Sequence, residues 1–239
     1  VIKLKEMQNI TIGIVAAMQI EAEAISSRLQ NLKIVKRGYH TFYEGKIDGI
    51  TVAVTLSGVG KVNAAFASAV LIELYKPFAI ISTGIAGGLG RLGLFDVLIA
   101  DKAVQHDMST APLGDERGYI SGINRVYIDT SEDINEILKK SLPLAKIGTI
   151  ATGDQFIASD TDATDIVSAF DASACDMESA AVAQVAYMSG VKIGIIRVIS
   201  DSGGDGGEEI YKRFAQRASE INGTAVIATI KQLAKDAAK

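Results

Sequence analysis

Three carboxylates stand at the borders of apolar runs, two just after one and one just before, and carboxylates so placed can move protons. Glu21 follows the run Ile10–Val15 and sits just inside the helical segment Ile20–Leu29. A Glu in a first helical turn also complements the helix dipole, which is the plain reading of its neighbour Glu23. Asp176-Met177-Glu178-Ser179 precedes the small apolar stretch Ala180–Ala183. Asp176 suits a helix cap. Glu178, at the edge of an apolar face, needs a partner, because an unpaired buried carboxylate is costly. A ribose diol would serve, and so would Arg197. Asp201 ends the segment Arg197-Val198-Ile199-Ser200-Asp201, ahead of a glycine-rich stretch containing Asp205. It is either a turn-former or an acid at the end of a strand.

Other segments next to apolar runs carry glycine. Thr83–Gly90 (TGIAGGLG) reads as a glycine-rich loop whose backbone can approach a ligand closely. Its G-x-x-G-x-x-G spacing does not fit a dinucleotide fingerprint, and Arg91–Phe95 leads toward another strand rather than a helix. Ser57-Gly58-Val59-Gly60-Lys61 lacks the spacing of a phosphate-binding P-loop. Gly153-Asp154-Gln155-Phe156-Ile157 puts an aromatic ring after a turn, either for core packing or for stacking on a base.

These residues need a frame. Runs of strand length recur at Ile10–Val15, Ile50–Leu56, Phe78–Ser82, Phe95–Ala100, Lys146–Ala151 and Lys192–Ile199. Several are nearly continuous in Val, Ile and Ala, as strands covered on both faces should be. Helical segments lie between them at Ile20–Leu29, Val62–Leu74, Ser131–Lys140, Asp162–Phe170 and Ser179–Ser189, and a last one runs from Glu208 to Lys235. Lys33–Ile47, with Tyr39, Phe42 and Tyr43, reads as an antiparallel excursion. The alternation predicts one α/β domain with a mixed sheet flanked by helices. In such sheets ligands bind at the carboxyl ends of the strands, where the acids and glycines fall here.

Composition sets outer bounds. The chain has 239 residues, 48% hydrophobic and 22% charged, enough for one sizeable core. A formal net charge of −4 gives no basic field for nucleic acid or an anionic membrane. No apolar run approaches the roughly 20 residues that span a bilayer. Residues 1–9 read as an extension or remnant ahead of a domain at 10–239. The one cysteine, Cys175, allows no internal disulfide, and two histidines, His40 and His106, are too few for a typical zinc enzyme. A reducing cytoplasm is the expected compartment, with export left open by the N-terminus.

Taken in order, AAMQIEAE, SGVGKVNAA, STGIAGGL, TGDQFIAS, DMESAAVA and RVISDSGG resemble the 5′-methylthioadenosine/S-adenosylhomocysteine nucleosidases of the nucleoside phosphorylase superfamily. The resemblance runs from Ile10 to the last helix. It implies a three-layer α/β/α fold and hydrolysis of the N-glycosidic bond of adenine thionucleosides, in methionine salvage. It also implies a homodimer and neither metal nor organic cofactor. By position, Glu21 would take a proton from the attacking water and Asp201 would protonate the leaving adenine at or towards N7. Glu178 would hold the ribose hydroxyls, with Met177 beside the sugar. Phe156 would stack on the base, and the Ile157 backbone would read its Watson–Crick edge. Ala86 and Gly87 would contact base and sugar through backbone. Val59 would lie near the 5′-alkylthio group, Ser200 would support Asp201, and Arg197 would orient nearby acids. Such an acid must keep its proton near neutral pH, so Asp201 is expected to have a raised pKa in an apolar, carboxylate-rich pocket.

Two departures stand out. Many members carry Ser or Thr where this chain has Ile85, near the catalytic water. The stretch His106–Asp115 diverges beyond its His-Asp pair, and in the family it closes the partner's 5′-substituent pocket. The preference between methyl and homocysteinyl tails is therefore open. A purine nucleoside phosphorylase of the same fold needs anion-binding groups, yet Ala17-Met18-Gln19-Ile20-Glu21 occupies the place of its Gly-Asp-Pro and Arg loop. Hydrolysis of a related adenine nucleoside such as aminodeoxyfutalosine stays open, and so does a non-catalytic binding role on this fold.

Overall fold

The computed structural model describes residues 10–204 and 206–237. The extension read at residues 1–9, and Asp205, lie outside the described residues. Strand β1 (Thr11–Ala16) leads into α1 (Gln19–Ser26). Then come β2 (Gln30–Arg37), β3 (His40–Ile47), β4 (Ile50–Leu56), α2 (Lys61–Tyr75), β5 (Ala79–Gly88) and β6 (Val97–Gln105). After β7 (Tyr127–Asp129) follow α3 (Glu132–Ser141), β8 (Lys146–Thr152), α4 (Asp160–Phe170), β9 (Ala172–Asp176), α5 (Ser179–Met188), β10 (Lys192–Asp201) and α6 (Gly207–Ala237).

The strands form one mixed sheet. β1 runs parallel to β4 and β5, and β10 runs parallel to β5. The hairpin β2–β3, antiparallel within itself and to β4, is the excursion that the aromatic segment indicated. At the other end the sheet closes on itself: β5 pairs β10, β10 pairs β6, β6 pairs β8, β8 pairs β9, and β9 returns to the last residues of β5.

Alternation along the buried strands sends side chains to two cores. Ile12 and Ile14 of β1 and Ile81 of β5 pack with Ile25 of α1 and Val226 and Ile230 of α6. Val15 and Ile80 point the other way, toward Ala64 and Leu71 of α2 and Ala180 and Val182 of α5. Period-two burial on both faces requires a helical layer on each side. Helix α2 stops where Lys76 turns left-handed (φ 44°) immediately before Pro77, a residue that cannot extend the helix.

Three features differ from the sequence reading. Thr83–Gly88 is not a loop: it continues β5 as fully buried strand. Its glycines serve close packing, since a Cβ at Gly87 would lie 2.9 Å from Asp201 Oδ1 and one at Gly84 would lie 2.5 Å from Glu21 Oε1. Strand β6 runs on past Ala100 through a register irregularity at Ala100/Lys102, where Asp101 and Lys102 break the apolar run. The short strands β7 and β9 had no apolar signature long enough to read, β9 being Ala-Ser-Ala-Cys-Asp.

Candidate active site

The carboxyl ends of β1, β5, β8, β9 and β10 surround a cavity of about 210 Å³. Glu21, Glu178 and Asp201 all line it, although their side chains start from different elements.

Glu21 is 2% exposed, in the first turn of α1, and its side chain folds back over the helix start. Oε2 accepts the backbone N–H groups of Ala17 (3.0 Å) and Met18 (2.9 Å). Oε1 accepts the N–H of Ile85 at 3.0 Å, reaching across to β5. The residue therefore caps its helix and at the same time faces the cavity. Burial raises its pKa, against the Arg197 charge and these three N–H donors. Glu23 lies beyond the first turn of α1, where Glu21 is the acidic residue, so the dipole role read for it does not apply; it is exposed and accepts from Gln19 Nε2 at 2.7 Å.

Asp201, the last residue of β10, is 4% exposed. The Ser200 hydroxyl donates to Oδ2 at 2.8 Å and the Gly203 N–H donates to Oδ1 at 2.9 Å. Burial pushes its pKa up and these two donors pull it down. The upward direction is the expected one, but its source is desolvation rather than a crowd of carboxylates. Ser200 also reaches the Ala86 carbonyl at 3.3 Å, tying the acid to β5.

Glu21 and Asp201 meet β5 at neighbouring points: one holds the N–H of Ile85, the other lies against Gly87. Two residue steps of extended strand span about 7 Å.

Glu178 begins α5, and its Oε1 accepts the Gly60 N–H at 2.9 Å. Its pKa is pushed up to about 7, by burial first and then by the Asp176 carboxylate, against the Arg197 charge and the Gly60 N–H. Arg197 is not its ion-pair partner. It donates through Nε to Asp176 Oδ2 at 2.9 Å, with Nη2 at 2.8 Å from the same oxygen and also on Ser82 Oγ. Asp176 in turn accepts from Thr152 Oγ1 (2.5 Å) and caps α5 through the Ser179 N–H (3.1 Å). Arg197 lies behind the cavity wall rather than in it, and orients Asp176 alone by direct contact. Replacing it with Met strands a buried carboxylate, and the expected loss is about 3–5 kcal/mol of stability in urea unfolding. A loss below about 1 kcal/mol would show that Asp176 finds other support.

The remaining expected residues also reach the cavity. Ala86 and Gly87 supply its floor from β5, Phe156 and Ile157 come from the segment after β8, and Met177 and Val59 from the turns before α5 and α2. Phe156 is 46% exposed, with its ring edge-to-face against Tyr211 at 5.6 Å. Tyr211 is the main residue that sequence reasoning missed: an aromatic at a helix start that also carries Ile210 and Phe214, with no motif around it. Its hydroxyl lies 3.2 Å from Met18 Sδ. Burial raises its pKa, and Glu21, Asp201 and Glu178 raise it further, as expected where three carboxylates face one hydroxyl. Cys175 also lines the wall, as a buried thiol pushed well up by desolvation and by Asp201 and Asp176.

The family model that matches residues 11–231 is the Phosphorylase superfamily. A 5′-methylthioadenosine/S-adenosylhomocysteine nucleosidase of Staphylococcus aureus is 34% identical over 93% of this chain and 100% of its own length. The crystal structure of the Neisseria meningitidis nucleosidase of that name, in complex with methylthio-immucillin-A, superposes with a TM-score of 0.90 at 30% identity, covering 92% of this chain and 98% of that one. The futalosine hydrolase of Helicobacter pylori also superposes at 0.90, with 28% identity over 95% of this chain and 99% of that one. Sequence and fold thus agree, and the chain belongs to the phosphorylase superfamily and, within it, to the 5′-methylthioadenosine/S-adenosylhomocysteine nucleosidases.

Proposed function

We propose that this chain, as one catalytic domain from Ile10 to Lys239, hydrolyses the N-glycosidic bond of 5′-methylthioadenosine and S-adenosylhomocysteine, releasing adenine and a thioribose. One observation carries the choice of water over phosphate. The cavity is lined by Glu21, Asp176, Glu178 and Asp201 and, among the described residues, by no Lys or Arg. The nearest buried guanidinium, Arg197, is already bound to Asp176. An incoming phosphate dianion would meet carboxylates without a compensating cation. A sugar that develops positive charge as its C–N bond breaks is favoured by the same surroundings.

In this reading Asp201, protonated, donates to the departing adenine, and ionised Glu21 takes a proton from the water on the opposite face. Glu178 binds the ribose hydroxyls and Phe156 stacks on the base, with the Ile157 backbone at its polar edge. Val59 and Met177 border the alkylthio group and the sugar. Ser200 holds Asp201 in place. The three N–H donors on Glu21 support the base assignment, since they fix the carboxylate without supplying a proton that must be displaced.

The remaining proposals are coarser. A homodimer is supported by Val62 (79% exposed) and Phe66 (58%), apolar residues that stand out from α2 beside Val59 at the cavity mouth. A place in methionine salvage within the cytoplasm follows from the substrates. No helix among the described residues is long and apolar enough to cross a membrane.

The test is adenine release from methylthioadenosine, S-adenosylhomocysteine, aminodeoxyfutalosine and inosine, first without and then with phosphate. The expected result is phosphate-independent release of adenine with free thioribose as co-product. A ribose 1-phosphate product would hand the chain to the phosphorylases. Faster release from aminodeoxyfutalosine would move its main substrate toward that of the hydrolase it also superposes on.

A further inference from the structure

Helix α6 contributes a polar residue to a place where its packing calls for an apolar one. Asn222 is fully buried, as are Thr229 and Ser219 on the same helix, and its side chain points to β5 rather than to its own helix. The Asn222 Nδ2 donates to the Gly84 carbonyl at 2.9 Å. Thr83 Oγ1 donates to Asn222 Oδ1 at 2.7 Å, which fixes which end of the amide faces which group. The other side of the same peptide, the N–H of Ile85, donates to Glu21 Oε1 at 3.0 Å. One peptide unit, Gly84–Ile85, thus carries Asn222 on its carbonyl and Glu21 on its amide.

We propose that Asn222, oriented by Thr83, is a positioning residue that acts on Glu21 through the Gly84–Ile85 peptide. The inference rests on the assignment of Glu21 as the base. Hydrogen bonds in series polarise one another, so a donor on the carbonyl strengthens the amide as a donor on the far side. A stronger donor on Oε1 favours the ionised carboxylate, the form a base needs. The peptide is also held in place mechanically. Helix α6 lies so close to α1 that a Cβ at Gly223, the next residue, would fall 2.6 Å from the Ala24 carbonyl, and one at Gly84 would fall 2.5 Å from Glu21 Oε1. Asn222 therefore has little room to take another pose. The arrangement bears on Ile85: its side chain offers no hydroxyl to a water or to Glu21, so the backbone N–H is the contact that this position makes to the base.

The groups that set the ionisation of Glu21 are few. Arg197 on β10 acts on it directly, and Glu21 in turn acts on the Glu178 carboxyl at the start of α5 and on the Tyr211 hydroxyl of α6. The side-chain bonds of Asn222 go instead to Thr83 and Gly84. Removing Asn222 therefore weakens one donor on Glu21 and leaves these charges where they are.

The experiment is the pH dependence of kcat and KM for adenine release by the wild type, Asn222→Leu, Thr83→Val and Glu21→Gln, with folding checked by circular dichroism and thermal melting. Asn222→Leu should lower kcat by roughly 3- to 10-fold, the worth of about one hydrogen bond, with KM nearly unchanged. Its acid limb should move to higher pH, so that the loss at pH 6 exceeds the loss at pH 8. Thr83→Val, which keeps the volume and removes only the orienting hydroxyl, should show the same shift in smaller degree. It carries the test if Asn222→Leu does not fold. Folded variants whose melting temperature falls while kcat and the acid limb stay put would assign Asn222 to stability alone and overturn the proposal. A Glu21→Gln variant that retains wild-type turnover and its acid limb would remove the base assignment itself, and the proposal with it.

Discussion

Asp201→Asn is expected to lower kcat by about 10²- to 10⁴-fold while the protein remains folded. The substitution is nearly isosteric. The Asn carbonyl oxygen can still accept from Ser200 or Gly203, so the end of β10 keeps part of its support. What is lost is the proton. Adenine leaving as an anion is a poor leaving group, and burial raises the Asp201 pKa, which favours the protonated form that an acid needs. The sign follows directly: activity should decline as pH rises through the Asp201 pKa, and Asn should erase that alkaline limb from whatever turnover remains. A leaving group that needs no proton gives the sharper measurement. A 5′-methylthioribosyl 4-nitrophenolate should be cleaved by Asp201→Asn at a rate near that of the wild type. Equal losses on both substrates would mean that Asp201 does something other than protonate the base.

Glu21→Gln should lose a comparable 10²- to 10⁴-fold, but on both kinds of substrate. Activation of water is needed whatever leaves. The side chain has three N–H groups around it, and an amide can offer an acceptor to one side only. Its NH₂ must then face a backbone N–H, so a stability loss of about 1–3 kcal/mol accompanies the kinetic one. The pH sign is opposite to that for Asp201. The base works ionised, so wild-type activity should fall as pH drops through the raised Glu21 pKa, and the variant should lack that limb. Turnover of Glu21→Gln within about threefold of the wild type would exclude general-base action by this residue.

The frame of the fold was legible because burial on both faces leaves long Val/Ile/Ala runs, and β4 matches its expected bounds at Ile50–Leu56. The two strands that escaped, β7 and β9, are short, and β9 is built from small residues that signal neither period. The glycines of Thr83–Gly88 read as a loop open to a ligand, since a sequence does not distinguish a glycine in a loop from one that lets side chains close on a buried strand. Only the positions of Glu21 and Asp201 reveal the second reason. Glu21 and Asp201 could be picked out by their places after strands, and Glu178 by its place at the edge of an apolar helix face. The partner of Arg197 could not: Asp176 and Glu178 are two residues apart, and which of them turns inward to the guanidinium depends on how β9 ends between β5 and β8. Tyr211 and Asn222 gave no signal for a related reason, since both lie on α6, one near its start and one midway along it, rather than at the end of a strand.

The closure of β5, β10, β6, β8 and β9 has a consequence for how copies of this chain behave when crowded. A ring has no free edge, so those strands offer no row of unpaired N–H and C=O groups to a neighbour. The open edge of any length among the described strands is β2, at the far end of the hairpin. It is mostly exposed and carries Lys33, Lys36 and Arg37 along its eight residues. Two such edges brought together would set like charges against each other at strand spacing. The barrier to edge-to-edge aggregation in this protein is thus concentrated in three cations on a strand that takes no part in the site.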